Sequence, residues 1–192
     1  MRLPYVSNPP PTATPQDAAI VARIQSRRAP RPLQSLDLAL LHSPPVADGW
    51  NSFLGAIRTQ TSLAADVREI AICRVAVCNK AWYEWGHHAP LASEAGLSPA
   101  GLEVIKREVL EGLDRPDELD DRQWAVLLYA DEMTRSVQVK DQTFELLHKL
   151  FSNQEVVEIT ATVAAYNCVS RFLVALNVGE RNGSGPDQAP AQ

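Results

Sequence analysis

Apolar residues recur along most of the chain at intervals of three and four, which is the period of an amphipathic helix. Residues 44–60 show this pattern, with Trp50 and Leu54 on one face. The segments 66–78 and 155–176 are apolar around most of their circumference, as is typical of central, buried helices. Alternation at period two, the sign of strands, is absent. The pattern therefore predicts an all-α domain built as a helical bundle.

The periodicity also gives approximate helix boundaries. The predicted helices span residues 17–28, 36–41, 44–60, 66–78, 81–95, 99–111, 122–135, 144–151 and 155–176. Gly96 is a stop signal for the fifth helix, and Ser98 before Pro99 is an N-cap for the sixth. Pro90 lies within the fifth helix, where its ring predicts a kink just past His88.

The two ends of the chain differ from its centre. Residues 1–15 contain five prolines, which predict an extended arm lying along the body or along a neighbouring subunit. Residues 16–178 are predicted to form one domain, because no repeat, charge block or linker divides them. Residues 179–192 have almost no apolar content and are predicted to be a disordered tail.

Composition narrows the possible partners. The chain has 192 residues, and its 18 Lys and Arg against 23 Asp and Glu give a net charge of −5. An acidic balance argues against a nucleic-acid partner, whose phosphates need clustered Lys and Arg. We also find no apolar run as long as a membrane span and no signal peptide, so we expect a cytoplasmic protein with no membrane partner. Three cysteines in apolar segments indicate neither a disulfide framework nor a zinc site.

Candidate chemistry lies between residues 69 and 88. Glu84 and His88 stand one helical turn apart, on a face that Leu91 continues, so they could form a general acid/base pair. The alternative is a surface contact contributing a few tenths of a kcal/mol. Glu69 interrupts a buried helix, where a salt bridge to a nearby or distant arginine is the structural alternative. His87, about 100° away around the helix, is interpreted as peripheral.

The segments 68–75 and 79–98 resemble the carboxymuconolactone decarboxylase and alkylhydroperoxidase-D superfamily. Peroxidase members carry a Glu, a Cys-x-x-Cys pair, and a His 19 residues after the Glu. Glu69 and His88 match that frame, since 88 − 69 = 19. The two cysteine positions, however, hold Ala81 and Glu84. A dithiol peroxidase needs two thiols within reach of each other, so the resemblance implies the fold and the pocket without that activity.

The resemblance implies an alkylhydroperoxidase-D-like oligomeric bundle of the decarboxylase-like branch, which needs neither cofactor nor metal. It implies a lyase acting on a small oxygenated acid, lactone or polyketide-like compound. In this mechanism His88 moves a proton to or from carbon, Glu84 orients and polarises His88, and Glu69 modulates the pair. The residues expected to contact substrate are Trp50, Tyr83, Trp85, Asn167 and Arg171. The expected partners are this small molecule and further copies of the chain, as a homo-oligomer.

Three alternatives remain open from the sequence. One is a thiol-dependent peroxidase that uses an unorthodox cysteine. Another is a non-catalytic oligomeric scaffold, in which Glu84 and His88 are core or interface groups. The third is a metal site formed by Glu69, Glu84 and His88, although helix-borne di-metal sites space Glu and His three residues apart rather than four.

Overall fold

The structure, a computed structural model, describes residues 1–188, and within that range it contains helices and no strand. The all-α prediction is thus confirmed. The helices are α1 Pro15–Arg28, α2 Ser35–Leu40, α3 Pro44–Thr59, α4 Ala65–Cys78, α5 Trp82–Glu94, α6 Pro99–Lys106, α7 Asp121–Ser136, α8 Asp141–Leu150 and α9 Asn153–Leu176. A short 3₁₀ turn, Val178–Glu180, follows α9.

Helix α4 is the centre of the bundle. It packs against α5, α6, α7 and α9, and nine of its 14 residues are buried. This burial explains its nearly continuous apolar sequence, because each side of the helix faces a neighbour. The charged residues Glu69 and Arg74 are buried with the rest, so each needs a partner inside the protein.

Helix α9 is long and apolar enough to cross a membrane, with a mean hydropathy of 1.4 over its most apolar window. The sequence-based statement that no run reaches this length was therefore too strong. In the structure α9 packs along α3, α4, α5, α7 and α8, and nine of its side chains are buried. That packing accounts for its apolar composition as a core helix.

Several local predictions at helix ends are confirmed. Gly96 adopts a φ of 101°, which glycine accepts without a steric penalty, directly after α5. The Ser98 hydroxyl accepts a hydrogen bond of 3.0 Å from the Gly101 N–H, which caps α6. Helix α5 continues through Pro90 to Glu94.

Helix α6 is shorter than predicted, ending at Lys106 rather than residue 111. The guanidinium of Arg74 donates hydrogen bonds to the backbone carbonyls of Ile105 at 2.5 Å and Arg107 at 2.7 Å. Arg107 leaves the helical conformation at φ −56° and ψ 133°, which turns its carbonyl toward Arg74. A tertiary contact therefore ends the helix where its local sequence would extend it.

The N-terminal arm lies along the body of its own chain, which is one of the two placements predicted from the sequence. The Arg2 N–H donates to the Leu176 carbonyl at 2.8 Å, and the Tyr5 hydroxyl accepts from the Gly179 N–H at 2.8 Å. The predicted tail also contacts the body: the indole N–H of Trp85 donates to the Pro186 carbonyl at 3.0 Å. Residues 189–192 of that tail lie outside the described residues.

Arg74 fixes three parts of the fold, since it also donates to Asp131 on α7 at 2.6 Å while being fully buried. We expect Arg74→Met to lower the free energy of unfolding by about 3 kcal/mol, because the carbonyls of Ile105 and Arg107 lose the Arg74 donor and Asp131 keeps only Arg135 as a charged partner. Chemical denaturation measures this loss. The control is Lys140→Met, which removes an exposed pair with Glu111 and should leave the denaturation midpoint unchanged. Equal midpoints for both variants would contradict the role given to Arg74.

Candidate functional site

Six helices, α1 to α5 and α9, and the loop after α1 surround a cavity of about 630 Å³. The cavity is open to solvent. Its wall combines aromatic, acidic and cationic side chains. The chemistry-bearing residues on the wall are Arg27, Arg28, Arg31, Trp50, Arg58, Arg68, Glu69, Tyr83, Glu84, His87, His88, Glu94 and Tyr166. A concave site with convergent titratable groups is the arrangement that binding and catalytic sites share.

Helix α5 presents the predicted face to this cavity. Glu84, His88 and Leu91 all line it. Tyr83 and His87 line it as well, with their rings stacked at a centroid distance of 4.4 Å. The interpretation of His87 as peripheral was therefore wrong. A helix packed at the edge of a cavity exposes more than one stripe to it, which a single-stripe analysis misses.

The hydrogen-bond partner of His88 is Glu69. The distance between His88 Nδ1 and Glu69 Oε2 is 2.6 Å, and both side chains are buried. The sequence analysis assigned this orienting role to Glu84, one turn away on the same helix, which was wrong. The packing of α5 on α4 brings Glu69 to His88 across 19 residues of chain. Intrahelical spacing carries no information about a contact between helices.

The environment sets the protonation of this pair. Burial by itself raises the pKa of Glu69, but the hydrogen bond from His88 and the positive charges of His88, Arg68 and Arg58 bring it below its ordinary value. Burial lowers the pKa of His88 more than the bond to Glu69 raises it. At neutral pH, Glu69 is therefore a carboxylate and His88 a neutral imidazole. With Nδ1–H donated to Glu69, Nε2 keeps its lone pair and can accept a proton.

Glu84 is in the opposite state. Its side chain is buried, and neither carboxyl oxygen has a hydrogen-bond partner among residues 1–188. Burial raises its pKa well above the ordinary 4.5, because no neighbouring donor stabilises the charged form. Glu84 is thus a protonated acid at neutral pH. Two carboxyl groups on one cavity with pKa values displaced in opposite directions mark a division into acid and base.

Two of the five predicted substrate contacts, Trp50 and Tyr83, line the cavity. Tyr166, considered as a wall residue, also lines it and sets its ring edge-on to His88 at 5.0 Å. Trp85 points away and binds the C-terminal segment through its indole N–H. Helical spacing placed it with its neighbours, but the tertiary packing directs it to another surface.

Asn167 and Arg171 are not on the cavity wall. Asn167 accepts a hydrogen bond from Asn79 at 3.1 Å and donates to Thr134 at 3.0 Å, so it joins α9 to its neighbours. Arg171 is exposed and donates to Asn167. The prediction that Asn167 and Arg171 contact substrate was therefore wrong, because Asn167 is partly buried against other helices and Arg171 faces away from the cavity.

Sequence reasoning missed four cavity arginines, at positions 27, 28, 31 and 58. The fifth, Arg68, is the nearby arginine expected to pair with Glu69, and its Nε lies 3.4 Å from Glu69 Oε1. Two signals pointed to the other four. Trp50, Leu54 and Arg58 follow one another at intervals of four on α3, so the last turn of its apolar face ends in a cation. The segment after α1 also concentrates three arginines within five residues, at 27–31.

Thiol chemistry finds no support at this site. Cys73 is fully buried on α4, and burial together with the charge of Glu69 raises the pKa of its thiol well above 9.0. Burial raises the pKa of the Cys78 thiol to about 11. Both are therefore protonated at neutral pH, while the nucleophile in thiol catalysis is the thiolate. Over residues 1–188, no group of three or more His, Cys, Asp or Glu side chains is arranged to hold a metal ion.

One family model matches part of the chain. The model of the carboxymuconolactone decarboxylase family matches residues 44–112, which include Glu69, Glu84 and His88. The chain has no match among curated proteins. The solved structures described next are 15–20% identical to this chain in sequence, so their similarity shows the fold alone.

Three of those structures are similar over most of both chains. The alkylhydroperoxidase AhpD core of a peroxidase-related protein from Ralstonia eutropha JMP134 has a TM-score of 0.72 and 20% identity, covering 92% of this chain and 90% of its own. A peroxidase-related protein from Silicibacter sp. TM1040 has a TM-score of 0.70 and 18% identity, covering 94% and 95%. The debrominase Bmp8, in complex with 2,3,4-tribromopyrrole, has a TM-score of 0.69 and 15% identity, covering 90% and 88%.

The unpartnered acid gives a prediction about stability. Glu84 keeps its proton in the native state, whereas in the unfolded state it releases this proton above pH 4.5. Protonation of Glu84 therefore makes the free energy of unfolding fall as the pH rises above 4.5. Gln cannot ionise, so we expect Glu84→Gln to gain stability relative to the parent protein between pH 4.5 and 8, by about 1 kcal/mol or more. Denaturation at several pH values measures this difference. Glu94→Gln, an exposed position on the same helix, is the control, and parallel curves for Glu84→Gln and the parent would contradict the assignment.

Proposed function

We propose that the chain, whose residues 44–112 match the model of the carboxymuconolactone decarboxylase family, is a cofactor-independent enzyme of proton-transfer chemistry. Its substrate is a small oxygenated acid, lactone or polyketide-like compound, and its reaction is a decarboxylation or a related lyase or isomerase step. The observation that carries the proposal is the pairing, on one cavity, of a neutral imidazole held by a carboxylate with a carboxylic acid that has no partner.

His88 supplies the base. Glu69 binds Nδ1–H, which fixes the tautomer and leaves Nε2 free to take a proton from carbon next to a carbonyl group. The positive charge that develops on the ring is stabilised by the carboxylate at 2.6 Å. Compared with the mechanism drawn from sequence, the roles of the two glutamates are exchanged: Glu69 orients His88, and Glu84 acts separately.

Glu84 supplies the acid. When a carbon–carboxylate bond breaks beside a carbonyl, carbon dioxide leaves and the electron pair remains as an enolate. Glu84 donates its proton to that enolate and recovers one from water, so one proton is consumed for each carbon dioxide released. In an isomerisation, His88 would remove a proton from carbon while Glu84 protonates the carbonyl oxygen. The decarboxylation therefore uses Glu84 as its proton donor, whereas the isomerisation uses both groups.

The protonated state of the buried thiols argues against the thiol-dependent peroxidase alternative. The scaffold alternative has no specific support, because an inert core would gain stability by replacing an unpartnered buried acid with an apolar residue. We further propose that the chain self-associates as a homo-oligomer. Val46 and Phe53, seven residues apart on α3, are 54% and 49% exposed, and such an apolar face is suited to a subunit contact.

The first test is a panel of β-keto acids and carboxylated lactones, followed by carbon dioxide release and product mass. We expect turnover on at least one member of the panel. Glu84→Gln should lower kcat by about 10²- to 10⁴-fold in either reaction, since it removes the acid. His88→Asn should lower kcat by a similar factor where a proton leaves carbon, as in an isomerisation, since it removes the base. His148→Asn, at an exposed histidine on α8, is the matched control and should retain full activity.

Two outcomes would contradict this proposal. Full activity in His88→Asn would remove the base from the mechanism. A fall in thermal stability for both site variants, without turnover by the parent protein on any panel member, would favour the scaffold.

Glu69 is a positioning residue, and its effect on His88 can be measured in the pH dependence of kcat/KM. Activity requires neutral His88, so kcat/KM falls as the pH drops through the pKa of His88. Glu69 raises that pKa, so in Glu69→Gln the acid limb should move to lower pH while kcat falls by about 10²-fold. A merely structural role would lower activity without moving the limb. An unchanged limb position would contradict the assignment.

A further inference from the structure

The cavity concentrates positive charge in a protein whose net charge is −5. Five arginines line it, against three glutamates. Glu84 is protonated, Glu69 is engaged with His88 and Arg68, and Glu94 is exposed at the rim. The carboxylates on the wall therefore do not balance the cations.

Pairing outside the cavity removes only part of this excess. Arg28 binds Asp37 through two hydrogen bonds of 2.8 Å, so its charge is neutralised. Arg27 donates to the neutral side chain of Asn51, which leaves its charge in place. Burial and the charges of Arg28 and Arg58 lower the pKa of Arg27, which shows that these cations repel one another across the site.

Arg58 and Arg31 make no side-chain hydrogen bond or salt bridge within residues 1–188. Arg58 is partly buried at the end of the α3 face that carries Trp50 and Leu54, and Arg31 is exposed in the loop after α1. A partly buried guanidinium has lost water on one side, and it regains hydrogen bonds when an anion arrives. Its planar array of donors suits the paired oxygens of a carboxylate or a phosphate.

We infer that Arg58, assisted by Arg31, binds an anionic group of the substrate, a carboxylate or a phosphate. Arg58 lines the same cavity as Glu84 and His88, at the end of the α3 face, and Arg31 lines it from the loop after α1. The anion is therefore bound in the cavity that also holds the acid and the base. This inference rests on the proposed function, since it places the substrate in the same cavity.

The anion bound by Arg58 is not the carboxylate that a decarboxylation would remove. A guanidinium paired with the departing group would stabilise the charged ground state more than the transition state, in which that charge leaves, and would slow the reaction. The anionic group consequently stays in the product. Compounds that keep this group but lack the departing carboxylate should then bind without turnover.

The test measures binding by calorimetry at low salt with three probes: levulinate, 2-oxopropylphosphonate and the neutral ester methyl levulinate. Levulinate and the phosphonate share a carbonyl and differ in their anion, so they separate a carboxylate site from a phosphate site. We expect at least one of the two to bind and the ester to bind at least about tenfold more weakly. Arg58→Met should weaken the better probe by at least about tenfold, with Arg58→Lys in between. Arg23→Met, on an exposed residue of α1 paired with Asp48, is the control and should leave the affinity unchanged.

Three outcomes would overturn the inference. These are binding of neither anion at millimolar concentrations, equal binding of the ester, and undiminished binding by Arg58→Met. If Arg171→Met weakens binding of the anion and Arg58→Met does not, Arg171 is the residue that binds the anion, as the sequence analysis expected. The calorimetric measurement of binding does not depend on turnover. If the protein binds levulinate through Arg58 but turns over no substrate, only the proposed reaction is refuted. If the protein is active and Arg58→Met does not change its binding of the anions, only the anion site is refuted.

Discussion

The site depends on removing two carboxyl groups from water in two different ways. Glu69 is buried against a ring N–H and near arginine charge, which together hold it ionised. Glu84 is buried with no donor, which keeps it protonated. Water would bring both groups to similar pKa values, and the base and the acid would then be equivalent. The packed helices that exclude water therefore create the chemical difference between two identical side chains.

The same exclusion of water governs the scaffold. Helix α4 contributes Glu69 to the cavity wall and Arg74 to the interior. Arg74 satisfies its donors with Asp131 and with two backbone carbonyls at the end of α6. The position of α4 is thus fixed by polar contacts as well as by apolar burial, and Glu69 is held rigidly toward α5. Preorganisation of this kind keeps a hydrogen-bonded pair at a constant geometry through a reaction.

The cavity separates its functions in space. The proposed proton-transfer groups lie on the wall formed by α4 and α5, where the carboxyl groups are buried. Four of the five arginines lie on α1, on the loop after it and on α3, and Arg68 lies on α4 beside Glu69. A substrate with an anionic end and a reactive carbonyl would thus have one orientation, in which each group meets the side chains that suit its charge. The neutral state of His87, whose pKa burial lowers to about 4, keeps the wall between them uncharged.

The sequence alone determined the helical class, most helix boundaries, and the choice of Glu69, Glu84 and His88 as candidate site residues, because periodicity and short motifs are local properties. It also showed that sulfur is missing from positions 81 and 84. Only the tertiary structure determined that His88 pairs with Glu69, that Glu84 is unpartnered, and that arginines from α1 and α3 meet the site. Those relations join residues far apart in the chain, and burial, which sets their protonation, exists only once the helices pack.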